Sequence, residues 1–207
     1  MTTDAKAKLK DILSAISDMN YINPGDIPNI DLYMDQVTTF MDEHLRSSKR
    51  YEDDKVLTKT MINNYAKNNL LPPPIKKKYS KEHVLVMIFI YYFKNILSIK
   101  DIEILLNPIT EKYFGNHTGL DMNAIYEEVL ELEKSRIDAV TKDIVRSYDD
   151  ASKCFSDAPE DEQEYLQIFA FICSLSFDVY VKKLLMQKII DGLDTPDDGG
   201  KKGKKKK

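Results

Sequence analysis

The sequence predicts an all-α protein. Only seven glycines occur among 207 residues, tryptophan is absent and long runs contain no proline, a composition that favours helices. Hydrophobic residues make up 43% of the chain, which is enough to build a substantial core. The length allows one large domain or two small ones.

Two amphipathic helices are predicted first. Residues 6–19 form a short leader, within an N-terminal region of residues 1–29, that we expect to dock on the body or on a partner subunit. Residues 30–46 suit the first helix of a three-helix core, because one side carries the apolar residues Ile30, Tyr33, Met34, Val37, Phe40, Met41 and Leu45.

A short third helix has one apolar and one polar face. Leu57, Met61 and Tyr65 repeat every four residues and form a stripe that can pack on a neighbouring helix, while Thr58 is a suitable N-cap. An Asn amide can pair with the major-groove edge of adenine, and Lys neutralises phosphates. The polar face carries the residue types for both contacts: Lys59, Thr60, Asn63, Asn64 and Lys67.

A lysine-rich arm follows this helix. Asn69 suits a left-handed helix stop, and the prolines at residues 72–74 force an extended path. A polar-faced helix followed by a basic hairpin is the layout of a DNA-reading helix with a wing, so we expect a sequence-specific regulator that binds double-stranded DNA. The same residues also fit an ordinary surface helix and a proline loop. The arm would make further DNA contacts through Lys76, Lys77, Lys78 and Tyr79.

Two further helices complete the predicted DNA-binding domain, residues 30–109. Ser80 can cap a helix over residues 81–96, whose apolar side chains leave almost no polar side. Such a helix must lie in the centre of the domain. Ser98 can cap the next helix, which we expect Pro108 to end.

These segments resemble the winged helix-turn-helix DNA-binding domain of MerR-type transcription regulators. That family has a recognition helix ending in Tyr, a Gly-Leu-Leu-Pro turn, a wing closed by Tyr-Ser or Tyr-Thr, and a later Ser-Leu-x-x-Ile-x-x-Leu helix. The resemblance implies a DNA-binding regulator that acts as a homodimer. The matching positions have the same order and spacing: Tyr65, Leu70, Leu71, Pro72, Tyr79, Ser80, Ser98, Ile99, Ile102 and Leu106.

The chain also departs from the MerR pattern. The sequence MINNY, ending at Tyr65, stands where the family usually has Thr-Ile-Arg-Tyr-Tyr, so the arginine that touches the DNA backbone is absent. Asn69 replaces the turn glycine, lysines replace a Tyr-Arg-x-Tyr wing, and the charged residues 47–55 shift the first helix out of its usual register. The whole chain resembles an uncharacterised bacterial family, a domain of unknown function thought to contain regulators, that shares the segments IDLYMDQV and LTKTMINNY.

The second half, residues 120–193, is predicted to be a helical region for dimerisation or regulation. Asp121 can cap a long helix that reaches Tyr148. Asp157 and Glu160 have the spacing of a capping box before the last helix.

The last predicted helix contains a charge-free segment, residues 166–177. The segment is too short for a membrane span, which needs about twenty apolar residues. We therefore expect it to lie in the centre of a helical bundle or at a subunit interface. A homodimer formed there could match two DNA half-sites.

Charge is segregated along the chain. Ten Lys or Arg against three acidic residues give residues 46–81 a net charge of +7, although the whole chain has a net charge of −4. A basic island on an acidic body directs nucleic acid to one face, although such blocks can also simply solvate a surface. Residues 194–207 contain six lysines and no apolar side chain to offset the entropy of ordering, so this tail is predicted to be disordered.

Other chemistry has little support in the sequence. Cys154 and Cys173 lack metal-ligand spacing, and we expect Cys173 to be a packed core thiol. No cofactor motif, metal site or catalytic set is visible, so we expect no enzyme, and no effector can be named. The start of the chain carries no apolar signal segment, so we expect a cytoplasmic location and no membrane contact.

Two function classes remain open. The first is a dimeric DNA-binding transcription regulator. The second is a helical protein–protein interaction module that keeps the winged core and offers its acidic second half as the contact surface.

Overall fold

The computed structural model describes residues 3–17, 21–116 and 119–193. Within these ranges the chain forms seven α-helices, two short 3-10 helices and a two-stranded antiparallel sheet, which confirms the all-α prediction. The predicted end of the leader helix at residue 19 and the lysine-rich tail lie outside the described residues.

The elements follow one another along the chain with short connections. The two 3-10 helices span Pro24–Asp26 and Arg46–Ser48. The helices and strands are α1 Thr3–Ser17, β1 Leu32–Tyr33, α2 Met34–His44, α3 Lys59–Lys67, β2 Lys78–Tyr79, α4 Lys81–Phe93, α5 Ile99–Tyr113, α6 Met122–Ala151 and α7 Glu160–Leu193.

Helix α4 lies at the centre of the molecule, as its composition predicts. Every residue from His83 to Tyr91 is buried, and α4 contacts β2, α5 and α6. Each fully buried aliphatic side chain contributes roughly 1.5–3 kcal/mol by leaving water. The other elements are therefore arranged around α4.

One hydrophobic core joins the two predicted halves. Its buried residues run from Ile22 on the N-terminal side to Leu130 in α6, and Ile190 near the end of α7 belongs to the same cluster. Residues 30–109 and the first turns of α6 are thus packed as one body.

The prediction of a helix over residues 30–46 was wrong at its start. Leu32 and Tyr33 form β1, which pairs with β2 in the register Leu32 to Tyr79 and Tyr33 to Lys78. Helix α2 begins only at Met34. The backbone N–H and C=O groups of β1 are satisfied by pairing with β2, so they are not used to extend α2. Ile30, just before β1, is 67% exposed.

The prediction that Pro108 ends α5 was also wrong, because the helix continues through it to Tyr113. Proline lacks a backbone N–H, so the helical hydrogen bond from residue 108 to the carbonyl of Ile104 is missing. Ile109 and Tyr113 pack against the core beyond the proline. This packing offsets the lost hydrogen bond.

The caps of the second half agree with prediction at one helix and disagree at the other. Asp121 accepts the N–H of Ala124 at 2.8 Å and caps α6, which ends at Ala151. The predicted capping box of Asp157 and Glu160 is wrong, because α7 begins at Glu160 itself. The carbonyl of Pro159 accepts the N–H groups of Glu162 and Gln163, both at 2.9 Å.

The charge-free segment, residues 166–177, is not the centre of a bundle. Helix α7 packs on α6 and α5 along one side, but Phe169 and Phe177 are 54% and 65% exposed. Cys173 is exposed as well, so the prediction of a packed thiol was wrong. One neighbouring layer cannot cover a helix that is apolar on several sides. In the described part of the chain, no helix is long and apolar enough to cross a membrane.

Candidate nucleic-acid interface

Helix α3 forms where its N-cap and apolar stripe predict. The Thr58 hydroxyl accepts the N–H of Met61 at 3.2 Å, which confirms the predicted cap. Ile62 and Tyr65 are buried and Met61 is half-buried, and α3 contacts α2. The apolar face therefore fixes the rotation of α3 on the core.

That rotation exposes the polar face of α3. The helix ends at a left-handed residue, since Asn69 has φ 55° and the N–H of Leu70 bonds the carbonyl of Tyr65 at 2.9 Å. Leu70 and Leu71 are then buried as anchors. All five residues predicted for base and phosphate contacts on this helix are exposed: Lys59, Thr60, Asn63, Asn64 and Lys67.

The lysine-rich arm is a tight two-residue hairpin. Ile75 and Lys78 exchange backbone hydrogen bonds of 3.1 and 2.9 Å. Lys76 and Lys77 occupy the turn with φ 51° and 63°, the left-handed pattern of a type I′ turn. Both turn lysines are exposed.

Positive φ is costly for lysine. Asn and Gly are the usual occupants of such a turn, and a left-handed residue with a Cβ costs roughly 1–2 kcal/mol. The two adjacent lysines therefore hold a strained backbone conformation, which an Asn-Gly pair would adopt with little strain. Strain of this kind concentrates at functional sites.

The base of the hairpin is fixed by β1. Lys78 is half-buried, and its ammonium group lies 5.1 Å from the ring centroid of Tyr33, the residue with which it pairs. A cation over a tyrosine ring gains about 0.5–1 kcal/mol at exposed sites. Lys78 is therefore held more firmly than the two turn lysines.

Tyr79 does not belong to the exposed set. Its side chain is only 3% exposed and packs edge-on against His83, with ring centroids 5.5 Å apart. Burial raises the pKa of the Tyr79 hydroxyl. This corrects the expectation that Tyr79 touches DNA: its ring anchors the hairpin to the core.

His83 connects the hairpin to α4. The backbone N–H of Ser80 donates to Nδ1 of His83 at 3.0 Å, and the Ser80 hydroxyl lies 2.8 Å from the same nitrogen. Burial lowers the pKa of His83, although the carbonyls of Pro73 and Pro72 and the Asp31 carboxylate oppose the shift. The neutral imidazole therefore takes the place of the acceptor in a capping box.

Sequence reasoning missed Asp35 as a neighbour of this surface. Asp35 lies in the first turn of α2 and forms an ion pair with Lys59, in which both side chains stay more than half exposed. The pair joins α2 to α3. Asp35 and Lys59 are far apart in the sequence, so helical spacing does not predict their contact. It orients Lys59 and also places one negative charge beside the polar face.

Lys94 holds the segment just before α3 on the core. The ammonium group of Lys94, just after α4, donates to the carbonyl of Val56 at 2.8 Å. Val56 and Leu57 are both buried. Burial lowers the pKa of Lys94. The segment that leads into α3 is thus fixed by both packing and a hydrogen bond.

Metal-ligating side chains are not grouped around this surface. Among the described residues, no three His, Cys, Asp or Glu side chains come together so that they could hold a metal ion. The surface offers amides, one hydroxyl and ammonium groups instead, which are donors and acceptors suited to base edges and phosphates.

A family model matches more than half of this chain. The family model described as "Domain of unknown function (DUF1836)" matches residues 22–129, a range that contains β1, the whole candidate interface and the start of α6. No curated protein and no solved structure matches the chain. Because the match covers more than half of its length, the chain belongs to the DUF1836 family.

Proposed function

We propose that this protein is a sequence-specific transcription regulator that binds double-stranded DNA through α3 and the hairpin of residues 75–78. The observation that carries the proposal is the pairing of an exposed Asn-rich helix face with a strained hairpin that presents Lys76 and Lys77. Such a regulator would act in the cytoplasm, where bacterial DNA lies.

The order of the elements supports a winged helix-turn-helix of the MerR type. A strand, two helices, a hairpin and two further helices follow one another, and the hairpin strand pairs back to the first strand. In the MerR family, which these segments resemble, the second of these helices reads DNA and the hairpin is the wing. Helix α3 takes the position of the reading helix.

The exposed residues divide into two roles. Thr60, Asn63 and Asn64 have the short polar side chains that discriminate base edges in the major groove. The ammonium groups of α3 and the hairpin neutralise phosphates irrespective of sequence. The basic island, residues 46–81 with a net charge of +7, supplies the field that attracts DNA to this face.

We propose further that the regulator is a homodimer joined through α7. Eleven large apolar side chains of this helix from residue 168 onward are more than a third exposed: Ile168, Phe169, Ile172, Phe177, Val179, Tyr180, Val181, Leu184, Leu185, Ile189 and Leu193. Exposed apolar surface on this scale marks an association site. A second copy is the occupant that brings a second α3, and two reading helices can match two half-sites about one helical turn apart.

The decisive experiment selects genomic fragments bound by the purified protein and then titrates one selected site against unrelated duplex at two salt concentrations. A regulator binds the selected site more tightly, and both affinities fall as salt rises. Recovery of no preferred fragment, together with no salt-dependent binding to duplex DNA, would overturn the proposal. A protein–protein interaction module that does not bind DNA gives this outcome.

A further inference from the structure

The hairpin of residues 75–78 carries an exposed apolar side chain as well as its lysines. Ile75 is 73% exposed, and no large apolar side chain among the described residues is more exposed. A single exposed apolar residue is ordinary on a protein surface. This one lies directly before the strained turn that presents Lys76 and Lys77. The hairpin therefore offers an apolar contact in addition to charge.

The chain around Ile75 is rigid. Its N–H donates to the carbonyl of Lys78 at 3.1 Å, and its carbonyl accepts the N–H of Lys78 at 2.9 Å. Prolines at residues 72–74 precede it and restrict the backbone further. The branched side chain of isoleucine is stiff at χ1. Ile75 therefore loses little conformational freedom when it enters a binding site.

Three side chains form a row across the hairpin and β1. Ile75 pairs with Lys78, and Lys78 pairs with Tyr33 of β1. Residues directly opposite each other in antiparallel strands project from the same face of a sheet, so the three side chains share one face. Tyr33 is 55% exposed, and the Lys78 ammonium group lies 5.1 Å from its ring centroid. The row presents an apolar side chain, a cation and an aromatic ring.

A row of this composition suits the minor groove of DNA. The groove is about 6 Å wide in B-DNA, and where A·T pairs narrow it further its negative potential attracts inserted cations. Proteins that enter the groove combine such cations with apolar side chains, isoleucine among them. An A·T pair shows only acceptors there, whereas a G·C pair adds the guanine amino group. An apolar side chain would take water from that amino group without giving it a partner.

We propose that the hairpin enters the minor groove through Ile75 and Lys78, and that Ile75 makes it prefer A·T over G·C pairs. The inference rests on the proposed binding of double-stranded DNA and adds a second reading element to α3. Lys78, held by Tyr33, neutralises the floor of the groove. Lys76 and Lys77 stay available for phosphates.

Base analogues in a selected binding site test this contact with the full-length protein. Base pairs of the site are changed one at a time to A·T, G·C or inosine·cytosine. An inosine·cytosine pair has the major-groove pattern of G·C but lacks the amino group in the minor groove. At the pairs that the hairpin contacts, G·C should bind about fivefold more weakly than A·T, and inosine·cytosine should restore the affinity.

Uracil in place of thymine provides the comparison for the major groove. It removes only the methyl group, which lies in the major groove, so it should not change affinity at the pairs that inosine identifies. Loss of affinity with uracil, without recovery with inosine, would place the hairpin in the major groove and overturn the inference.

Two matched variants assign the effect to the hairpin. Ile75→Gln should reduce the difference between inosine·cytosine and G·C to less than twofold, because a glutamine oxygen can accept from the guanine amino group. It should leave the slope of log affinity against log salt unchanged, since no charge is lost. Ile12→Gln alters a residue of α1 that is 56% exposed and outside the proposed interface, and it should keep the full difference. Circular dichroism shows that both variants are folded.

The possible failures are distinguishable. A protein that binds duplex DNA but treats inosine·cytosine and G·C alike at every position overturns the minor-groove contact and leaves the proposed function intact. An unchanged inosine effect in Ile75→Gln shows that Ile75 does not read the groove. Absence of binding to any duplex removes the proposed function and this inference together.

Discussion

Ile75 and Lys78 donate to each other's carbonyl groups, at 3.1 and 2.9 Å, and thereby close a loop of only two residues. This closure forces Lys76 and Lys77 into left-handed conformations that lysine avoids. The hairpin therefore gives up stability to present two adjacent positive charges. Stability and DNA affinity should respond in opposite directions when the turn is changed.

The first prediction concerns this opposition. Replacing the turn by Lys76→Asn with Lys77→Gly relieves the backbone strain, so the free energy of unfolding should rise by about 1–2 kcal/mol. DNA affinity should fall, and the slope of log affinity against log salt should flatten by nearly two units because two phosphate contacts are lost. Urea unfolding and salt-dependent binding isotherms measure the two effects.

The control for the turn is Lys76→Gln with Lys77→Gln. This variant removes the same charges and keeps the strain, so it should lose the same affinity without gaining stability. An increase in stability equal to that of the Asn-Gly turn would show that the lysines are not strained.

The second prediction separates base contacts from phosphate contacts. Asn63→Ala or Asn64→Ala should cost about 1–3 kcal/mol on a selected site and little on random DNA. Lys67→Ala should weaken both by similar factors, because its contact carries no sequence information. Competition binding against unrelated duplex measures the difference.

The matched control for those amides is Asn95→Ala, an exposed asparagine that lies beyond α4 and outside the polar face of α3. It should bind like the unchanged protein. If all three asparagine variants lose affinity equally on every DNA, α3 does not read bases.

The third prediction follows from His83. The unfolded histidine titrates near its ordinary pKa of 6.5, whereas burial holds the folded value lower. Well above pH 6.5 the histidine is neutral in both states. As the pH falls below it, the unfolded chain binds the proton first, so the free energy of unfolding decreases and levels off only below the folded pKa. Urea unfolding on either side of pH 6.5 should show this loss.

His83→Gln provides the comparison for the pH effect. A glutamine oxygen can still accept the N–H of Ser80 in a capping box, but it does not titrate. The variant should keep its cap and show a smaller loss of stability on acidification. If its loss matches that of the unchanged protein, another group is responsible.

The fourth prediction concerns self-association. Phe169 is 54% exposed on α7, so Phe169→Glu should change the stability of the monomer by less than about 0.5 kcal/mol. It should nevertheless abolish the homodimer, because a charge then has to be buried at the interface. Sedimentation velocity of the full chain detects the change.

Ile99→Glu tests whether any exposed apolar residue has this effect. Ile99 is 44% exposed at the start of α5, away from α7, and this variant should remain dimeric. If the unchanged protein is already monomeric at tens of micromolar, the exposed face of α7 does not join two copies.

The local features of α3 could be predicted from the sequence because each depends on residues close together in the chain. The Thr58 cap, the Tyr65 stripe and the left-handed Asn69 all require only helical spacing and backbone preference. The exposure of Asn63 and Asn64 follows once the opposite face is known to be buried.

Features that depend on distant residues could not be predicted in the same way. The apolar residues around Leu32 and Tyr33 are spaced as in a helix. This segment forms strand β1 only because β2 pairs with it. Pro108 remains inside α5 because packing beyond it outweighs one lost bond. Tyr79 is a polar aromatic in a basic arm, and only the fold reveals that its ring points to the core.

The antiparallel pairing of Leu32 with Tyr79 also bears on how the protein folds. This contact closes a long loop that contains α2, α3 and the hairpin, and a distant contact of this kind forms late because the entropy of closure must be overcome first. The amides of the whole loop should then acquire hydrogen-exchange protection together, after those of α4. The surface that we propose for DNA would mature as a single cooperative unit.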